Sequence, residues 1–433
     1  MDEINDQKAP VNSRAQLAWI VLFAAYMLFA FLYSVINPLN ALPDEGANMQ
    51  YVQFLADNHA LPIWTPSGDS PGGYETQHPP VAFSIGAIAF ASTKSLALNM
   101  RWQFTRWAYV LCGIILFFIV RKLAALLFSD EPWLQLAFGA SVMLMPLNLM
   151  SFAYANPDGI AALVTAAGIL VGAQIYAQKA DNYWLNAAGG LVAGLGLLTK
   201  LSAAPVILLV LLAQACRPNV DRVARLRGVG VSLIVWAAVC GWYYVRSYVL
   251  YHSVFLHTPG KLGTGWEFAA SAGLYKTVMI SLRETCLSVW AQRGWFPPAA
   301  DWTFMILIGV MILAAIIGYA IRAKSESSGT GLPAAKVALV YTFLVFAAQQ
   351  VAFWKVDIEF NAGGRYLLVA LPAIAYLLVS GVVRLPRSAR VAVLSIWVLL
   401  LFAMNLTAAN EIVSVLTPYY YPGWQMFEFG HPR

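Results

Sequence analysis

The sequence predicts an all-α polytopic membrane protein, and three observations predict it. Hydrophobic residues fill 60% of the 433 positions, mean hydropathy is +0.65, and charged residues reach only 11%. Such a composition lies far from that of a water-soluble domain. Apolar runs also recur along nearly the whole chain, separated by short polar turns. Each needs only to approach about 20 residues to cross a hydrocarbon core.

The first run, Leu17 to Ile36, follows a stretch (MDEINDQKAPVNSRAQ) that is mixed in charge rather than short and basic. No A-x-A-like site follows it, so it predicts a retained anchor rather than a cleaved signal. Further spans are predicted near 104–123, 133–152, 159–178, 184–198, 201–216, 228–247, 302–321, 334–354, 366–383 and 391–408, about eleven in all. The 184–198 and 201–216 runs are short and fit a hairpin broken at Thr199-Lys200. Val81 to Thr93 is shorter still, which fits an interfacial or re-entrant segment better than a span. In the 248–301 loop, segment 267–290 has apolar residues at roughly helical spacing, interrupted by Lys276, Arg283 and Glu284, and predicts an amphipathic helix lying on the membrane. The expected organisation is one transmembrane domain, 17–408, with outer loops 37–103 and 248–301, between a cytoplasmic tail 1–16 and an extracytoplasmic tail 409–433.

Sidedness follows from the basic loops. The densest are Arg121-Lys122, Arg217 to Arg227, Arg322 to Lys324 and Arg384 to Arg390. If Val81–Thr93 does not cross, all four face the cytoplasm with the N-terminus. The outer face then carries Arg101, Arg106, Lys200, Arg246, Lys261, Lys276, Arg283, Arg293, Lys355 and Arg365. So many cations on that face point to an anionic ligand, most simply a phosphate, although such side chains also snorkel to lipid headgroups. No nucleic-acid partner is expected. The four cysteines have no disulfide or metal-type spacing and the five histidines form no cluster, so no zinc site is expected.

Asp44 and Glu45 stand out, as a carboxylate pair beside the hydrocarbon boundary. They suit either the first turn of a helix through Ala60 or a catalytic role. Glu75, Gln77 and His78 lie where the first outer loop returns to the membrane, His78 before the stiff Pro79-Pro80. Asn156 and Asp158 flank a proline at a helix start, where capping and a second acidic group facing a site are both open. Lys200 interrupts an apolar stretch, where an unpaired ammonium is costly. Arg365 follows Gly363-Gly364, whose missing side chains leave room for a ligand. Arg246, beside Trp242, Tyr243 and Tyr244, reads as an interfacial anchor, with substrate contact as the alternative.

Six of these pieces occur in one order: LPDEGANMQYVQFLADNHALP, HPPVAF, YANPDGIAALVTAAGIL, GLVAGLGLLTKLSAAPVILL, GWYYVRSYVLYHSVF and NAGGRYLLVALPAIAYLL. In this order the chain resembles the GT-C superfamily of polytopic glycosyltransferases that use polyprenyl-phosphate sugars, from about residue 17 to about 385. It departs from larger members in having only a short stretch, ending YYYPGWQMFEFGHPR, after the last predicted span. The resemblance implies a GT-C-like bundle with interfacial helices in the outer loops, in a bacterial inner membrane with the site facing the periplasm. It implies Asp44 as general base with Glu45 orienting it or the acceptor. Donor and acceptor would meet Glu75, His78, Asn156, Asp158, Lys200 and Arg365, with Arg246, Arg101 and Arg106 as further candidates. Expected partners are the lipid donor, a lipid-linked or envelope glycan acceptor and membrane lipids. No cofactor is certain, and a divalent metal ion stays open. A flippase of lipid-linked saccharide, or a polysaccharide polymerase or ligase, is the alternative.

Overall fold

The computed structural model describes residues 13–67, 69–129, 131–218, 220–256, 263–291, 302–323, 331–356 and 363–416. Lys261, Arg293, Lys324 and most of both predicted tails lie outside the described residues. The chain runs α1 (Ser13–Ile36), α2 (Glu45–Asn58), α3 (Val81–Ser92), α4 (Leu98–Leu127), α5 (Pro132–Met143), α6 (Pro146–Ser151), α7 (Pro157–Ala177) and α8 (Tyr183–Leu197). It continues with α9 (Pro205–Ala215), α10 (Arg222–Tyr251), α11 (Gly265–Ala272), α12 (Leu274–Ala291), α13 (Trp302–Ala323), α14 (Gly331–Lys355), α15 (Leu371–Val382) and α16 (Arg387–Glu411). Short 3-10 turns at Tyr74–Gln77, Leu201–Ala203 and Gly364–Ala370 lie between helices and, as shown below, carry or flank the site. Among the described residues there is no strand, and eight helices are long and apolar enough to cross a membrane.

Several predicted spans are broken, for local reasons. The 133–152 run becomes α5 and α6 because Pro146 has no N–H to give the carbonyl of Val142. The Asn148 side chain supplies that missing donor at 3.0 Å. Asn405 of α16 donates to the freed carbonyl of Leu144 at 2.8 Å and accepts from the Tyr33 hydroxyl of α1 at 2.8 Å. Apolar contact between helices gains little over lipid, so such interhelical hydrogen bonds help to hold α1, α5 and α16 together. The predicted hairpin break at Thr199-Lys200 is present, followed by a 3-10 turn and Pro205 at the start of α9. The 366–383 run opens as a 3-10 turn, and the amphipathic segment 267–290 is two helices, α11 and α12, that part at Gly273.

The ends of α1 and α4 bear on the expectation for Val81–Thr93. Arg106, in the third turn of α4, donates to the carbonyls of Ser34, Asn37 and Pro38 at the C-terminal end of α1. Thus α4 starts on the side where α1 ends, the arrangement expected if α3 between them does not cross. With 12 residues it is also only about 18 Å long. The end of α1, the starts of α4 and α7, the α8–α9 turn and the start of the α15 segment therefore meet at one end of the bundle. The basic stretches at Arg217–Arg227 and Arg384–Arg390 lie at helix ends opposite to it. There Arg217 is buried, bonded to Asp181 (3.4 Å), Gln178 (3.0 Å), Gln214 (3.2 Å) and the carbonyl of Ala180 (2.9 Å).

Candidate active site

Asp44 and Glu45 open α2 and then part company. Asp44 holds the N-cap position, yet its side chain makes no bond to the first-turn N–H groups, the usual task of an N-cap aspartate. Its backbone is left-handed at φ 60°, which costs a residue with a Cβ about 1–2 kcal/mol. The carboxylate turns outward instead: Oδ2 accepts from Arg365 Nη1 at 2.9 Å, and Oδ1 accepts from the Tyr74 hydroxyl at 2.8 Å. Burial alone would push the Asp44 carboxyl up. The Arg365 charge, the Tyr74 and Arg365 hydrogen bonds and the Lys200 charge outweigh it and hold the group below its ordinary range.

Glu45 turns inward. Its two oxygens accept from Arg106 Nε and Nη2, both at 2.7 Å, and Oε2 also accepts from the Asn40 backbone N–H at 3.0 Å. Both side chains of this pair are 1% exposed or less. With three more bonds to the carbonyls of Ser34, Asn37 and Pro38 at and just past the end of α1, every guanidinium N–H of Arg106 is committed. Arg106 therefore has no donor left for a phosphate, and its place is to tie α1, α4 and the start of α2 together.

Around Asp44 the fold gathers the other carboxylates and cations. Asn156 caps α7, its side-chain oxygen accepting from the Asp158 N–H at 2.8 Å, while its amide donates to the Tyr154 hydroxyl at 2.7 Å. Capping and an acidic group facing the site thus both hold here, because the capped turn aims Asp158 at Lys200. Lys200 Nζ donates to Asp158 Oδ1 at 2.6 Å, and both residues are buried. The Tyr366 ring lies 5.0 Å from the Lys200 ammonium and 5.3 Å from the Arg365 guanidinium, within cation–π range of both.

The Tyr74–Gln77 turn adds a third pair. His78 Nε2 and Glu75 Oε2 are 3.2 Å apart, a distance that on its own reads as an ion pair. Burial, with the neighbouring Asp44 charge next, pushes Glu75 up to about 8. Burial, with the Lys200 charge next, pushes His78 down to about 3. At neutral pH this contact is therefore a hydrogen bond between neutral groups. Two carboxylates then face two cations, and the constellation carries no net charge. A small cleft lined by Pro43, Ser151, Tyr154, Asn156, Asp158 and Arg365 opens beside it.

Three sequence-predicted residues do not join this group directly. Arg101 stacks on the Phe90 ring at 3.5 Å and donates to the Phe90 carbonyl at the end of α3. Arg246 donates to the carbonyls of Leu61 and Pro62, at 3.5 and 3.1 Å, and so holds the loop that follows α2. Arg106 is buried behind Glu45. The room expected for a ligand beside Gly364 is filled by α12: a Cβ there would come within 2.0 Å of the Val289 backbone nitrogen. Sequence reasoning missed Tyr74, Tyr154 and Tyr366. Two of these signals were available, since Tyr74 adjoins Glu75 after Gly72-Gly73 and Tyr366 adjoins Arg365. Among the described residues, no three His, Cys, Asp or Glu side chains gather as a metal site requires.

No protein-family model and no curated protein matches the chain. Solved structures do. The oligosaccharyltransferase of Archaeoglobus fulgidus with a tethered acceptor peptide matches at TM-score 0.52 and 13% identity, over 93% of this chain and 55% of that one. The same organism's AglB, in complex with an inhibitory peptide and a dolichol-phosphate, matches at 0.50 and 13%, over 91% and 56%. The chain has the GT-C fold. It spans just over half the length of these archaeal enzymes. ArnT from Cupriavidus metallidurans bound to undecaprenyl phosphate is similar at TM-score 0.43 and 16% identity, over 89% of this chain and 77% of that one. Within the GT-C fold of this chain, the ion pairs sit where inter-helix turns meet the end of α1, the start of α7, the end of α8 and the start of the α15 segment.

Proposed function

We propose that this protein is an inverting glycosyltransferase that moves a sugar from a polyprenyl-phosphate donor to an acceptor hydroxyl. Asp44 is the general base. The observation that carries this reading is the diversion of Asp44: a residue placed to cap α2 leaves the cap unmade, in a costly backbone conformation, to point at Arg365 and Tyr74. A carboxylate held ionised beside fixed cations suits proton abstraction next to an anionic donor. The acceptor O–H gives its proton to Asp44, and the acceptor oxygen bonds to the anomeric carbon. The bond from that carbon to the phosphate oxygen breaks with its electron pair. Lys200 and Arg365 take up the charge of the departing phosphate. Glu45, locked to Arg106, fixes the turn from which Asp44 projects. Neutral His78 offers a hydrogen bond to phosphate or acceptor, with Glu75 holding it.

The lipid nature of the donor rests on the membrane setting of the site and on the dolichol-phosphate carried by the AglB structure. A largely apolar groove between the far ends of α2 and α3, lined by Leu55, Ala56, Ala60, Ala87, Ile88 and Ala91 together with His59 and Ser84, offers a path for the hydrocarbon chain beyond its first units. The acceptor is a lipid-linked or envelope glycan, or a lipid, at the outer leaflet of a bacterial inner membrane. The site faces the periplasm or exterior, and tail 1–16 faces the cytoplasm. The test is transfer of radiolabelled sugar from polyprenyl phosphate to membrane lipid by purified protein, wild type against Asp44→Asn. Transfer lost in the variant supports the reading. Movement of labelled lipid across liposome membranes without transfer replaces it with a flippase.

A further inference from the structure

The base in this reading has two fixed partners, and only one of them is a cation. Arg365 holds Oδ2 of Asp44, and the Tyr74 hydroxyl holds Oδ1. Arg365 is also assigned to the departing phosphate, so its position must adjust as the donor enters and leaves. Tyr74 has no such second duty. It stands at the rim of the site, 39% exposed, on a turn anchored by its own geometry. Gly73 before it has φ 79°, and a Cβ there would come within 2.4 Å of Gln50 Oε1. The Thr76 hydroxyl donates to the Gly73 carbonyl at 2.9 Å, and His78 N–H donates to the Glu75 carbonyl at 2.9 Å. The turn therefore presents Tyr74 to Asp44 and Glu75 to His78 from one rigid piece of backbone.

We propose that Tyr74 is a positioning residue for Asp44: its hydroxyl fixes one carboxylate oxygen, so that the plane of the base stays set while Arg365 engages phosphate. This rests on the reading of Asp44 as the base. An ionised carboxylate offers about four lone-pair sites, so two bonds still leave acceptor capacity for the substrate hydroxyl. A donated hydrogen bond also favours the charged form, which keeps the base ready to accept a proton. The groups that bear on Asp44 are Arg365 and Lys200 as cations, Glu75 as an acid, His78, and the Tyr74 and Tyr154 hydroxyls. Of these, Tyr74 and Arg365 bond to it directly.

The experiment needs no knowledge of the sugar. Detergent-solubilised protein is treated with a water-soluble carbodiimide and an amine across a pH series, and modification of Asp44 is followed by mass spectrometry. Carbodiimide attacks the protonated carboxyl, so the midpoint reads the titration of Asp44. Tyr74→Phe keeps the exposed ring and removes only the hydroxyl. Its midpoint is expected at higher pH than in the wild type. Gly73→Ala, which drives the turn into Gln50, is expected to move it the same way. A Tyr74→Phe midpoint that coincides with the wild type overturns the proposal. In sugar transfer, Tyr74→Phe is expected to lower turnover about tenfold in the wild type and not at all in the Asp44→Asn background. Equal losses in both backgrounds also overturn it. The base reading fails separately, if Asp44→Asn transfers sugar at the wild-type rate.

Discussion

Asp44 and Glu45 are neighbours in the chain, and each is bonded to an arginine far away in sequence. Yet the two ion pairs differ in almost every physical respect. Glu45–Arg106 is sealed from solvent, doubly bonded at 2.7 Å, and leaves no N–H of the guanidinium unused. Asp44–Arg365 is single, 2.9 Å long, about one-fifth exposed and set in a strained backbone. Burying a charge pair is tolerated when geometry is excellent and the remaining donors are met, which describes the first pair. The second leaves capacity unused beside a cleft. The first pair builds the platform, and the second is available for chemistry.

The sharpest way to break this contrast is to remove each charge without changing shape. Asp44→Asn is expected to cost roughly two to four orders of magnitude in sugar transfer, the usual scale for a lost base. Its thermal stability in detergent should stay near that of the wild type. Glu45→Gln should do the reverse, lowering stability first. If Glu45→Gln instead abolishes transfer in a protein that melts normally, the two roles are exchanged. Next in size is Arg106→Ala. Removing one partner of a buried pair leaves the other uncompensated, and about 3–5 kcal/mol of stability is expected to go with it. A melting curve for Arg106→Ala that overlays the wild type would remove the platform from the account.

Much of this was legible in the sequence, and the exceptions have physical causes. Helical class, the short Val81–Thr93 segment and the break at Thr199-Lys200 follow from run length and from one charge in an apolar stretch, which are local properties. Asp44, Asp158, Lys200 and Arg365 stood out for the same reason. The fates of Glu45 and Arg106 did not. Nothing local says that a guanidinium in α4 will reach the end of α1, since that depends on the antiparallel packing of two helices. The Pro146 break is local but hidden, because the apolar run continues through it. Gly363-Gly364 suggests space for a ligand, but an absent side chain leaves room for any close neighbour, and at Gly364 the neighbour is α12.

Further predictions refine the comparison at the site itself. Lys200→Ala and Arg365→Ala are expected to weaken binding of polyprenyl phosphate without its sugar by about 10- to 100-fold, the scale of a hydrogen bond to a charged group. Arg365→Lys should recover only part of the loss, because a point charge does not reproduce a planar fork. Unchanged affinity in both alanine variants would move the phosphate elsewhere. A pH series adds a smaller effect with a defined sign. Glu75 is raised from 4.5 to about 8, so its neutral form is favoured in the folded protein. The stability it contributes is complete below about 4.5 and is lost as pH rises through about 8. Ionising Glu75 also adds a negative charge beside Asp44. Affinity for polyprenyl phosphate is therefore expected to fall above pH 8, by up to about tenfold per pH unit, and Glu75→Gln should flatten that fall. A wild-type affinity that stays level across this range would sink the assignment of a neutral Glu75.

The smallest expected effect lies farthest from the ion pairs, in the groove between α2 and α3. Its lining includes Ala56 of α2, Ala60 just past it, and Ala87 and Ala91 of α3, so a large side chain at Ala87 would narrow it. The groove begins past the Tyr51–Phe83 ring stack (4.5 Å between centroids), which lies nearest the site because the Tyr51 hydroxyl reaches the His78 carbonyl at 3.5 Å. A chain anchored by its phosphate would meet the groove only after its first units. Ala87→Trp is therefore expected to weaken binding of a long polyprenyl phosphate by only a few-fold, about one kcal/mol or less, through lost apolar burial. A lipid of one or two isoprene units, too short to enter the groove, should bind the variant as it binds the wild type. The comparison of the two lipids is the measurement. Equal losses would mean that the substitution acts on the phosphate site through α3, and no loss with either lipid would place the hydrocarbon chain on another face of the bundle.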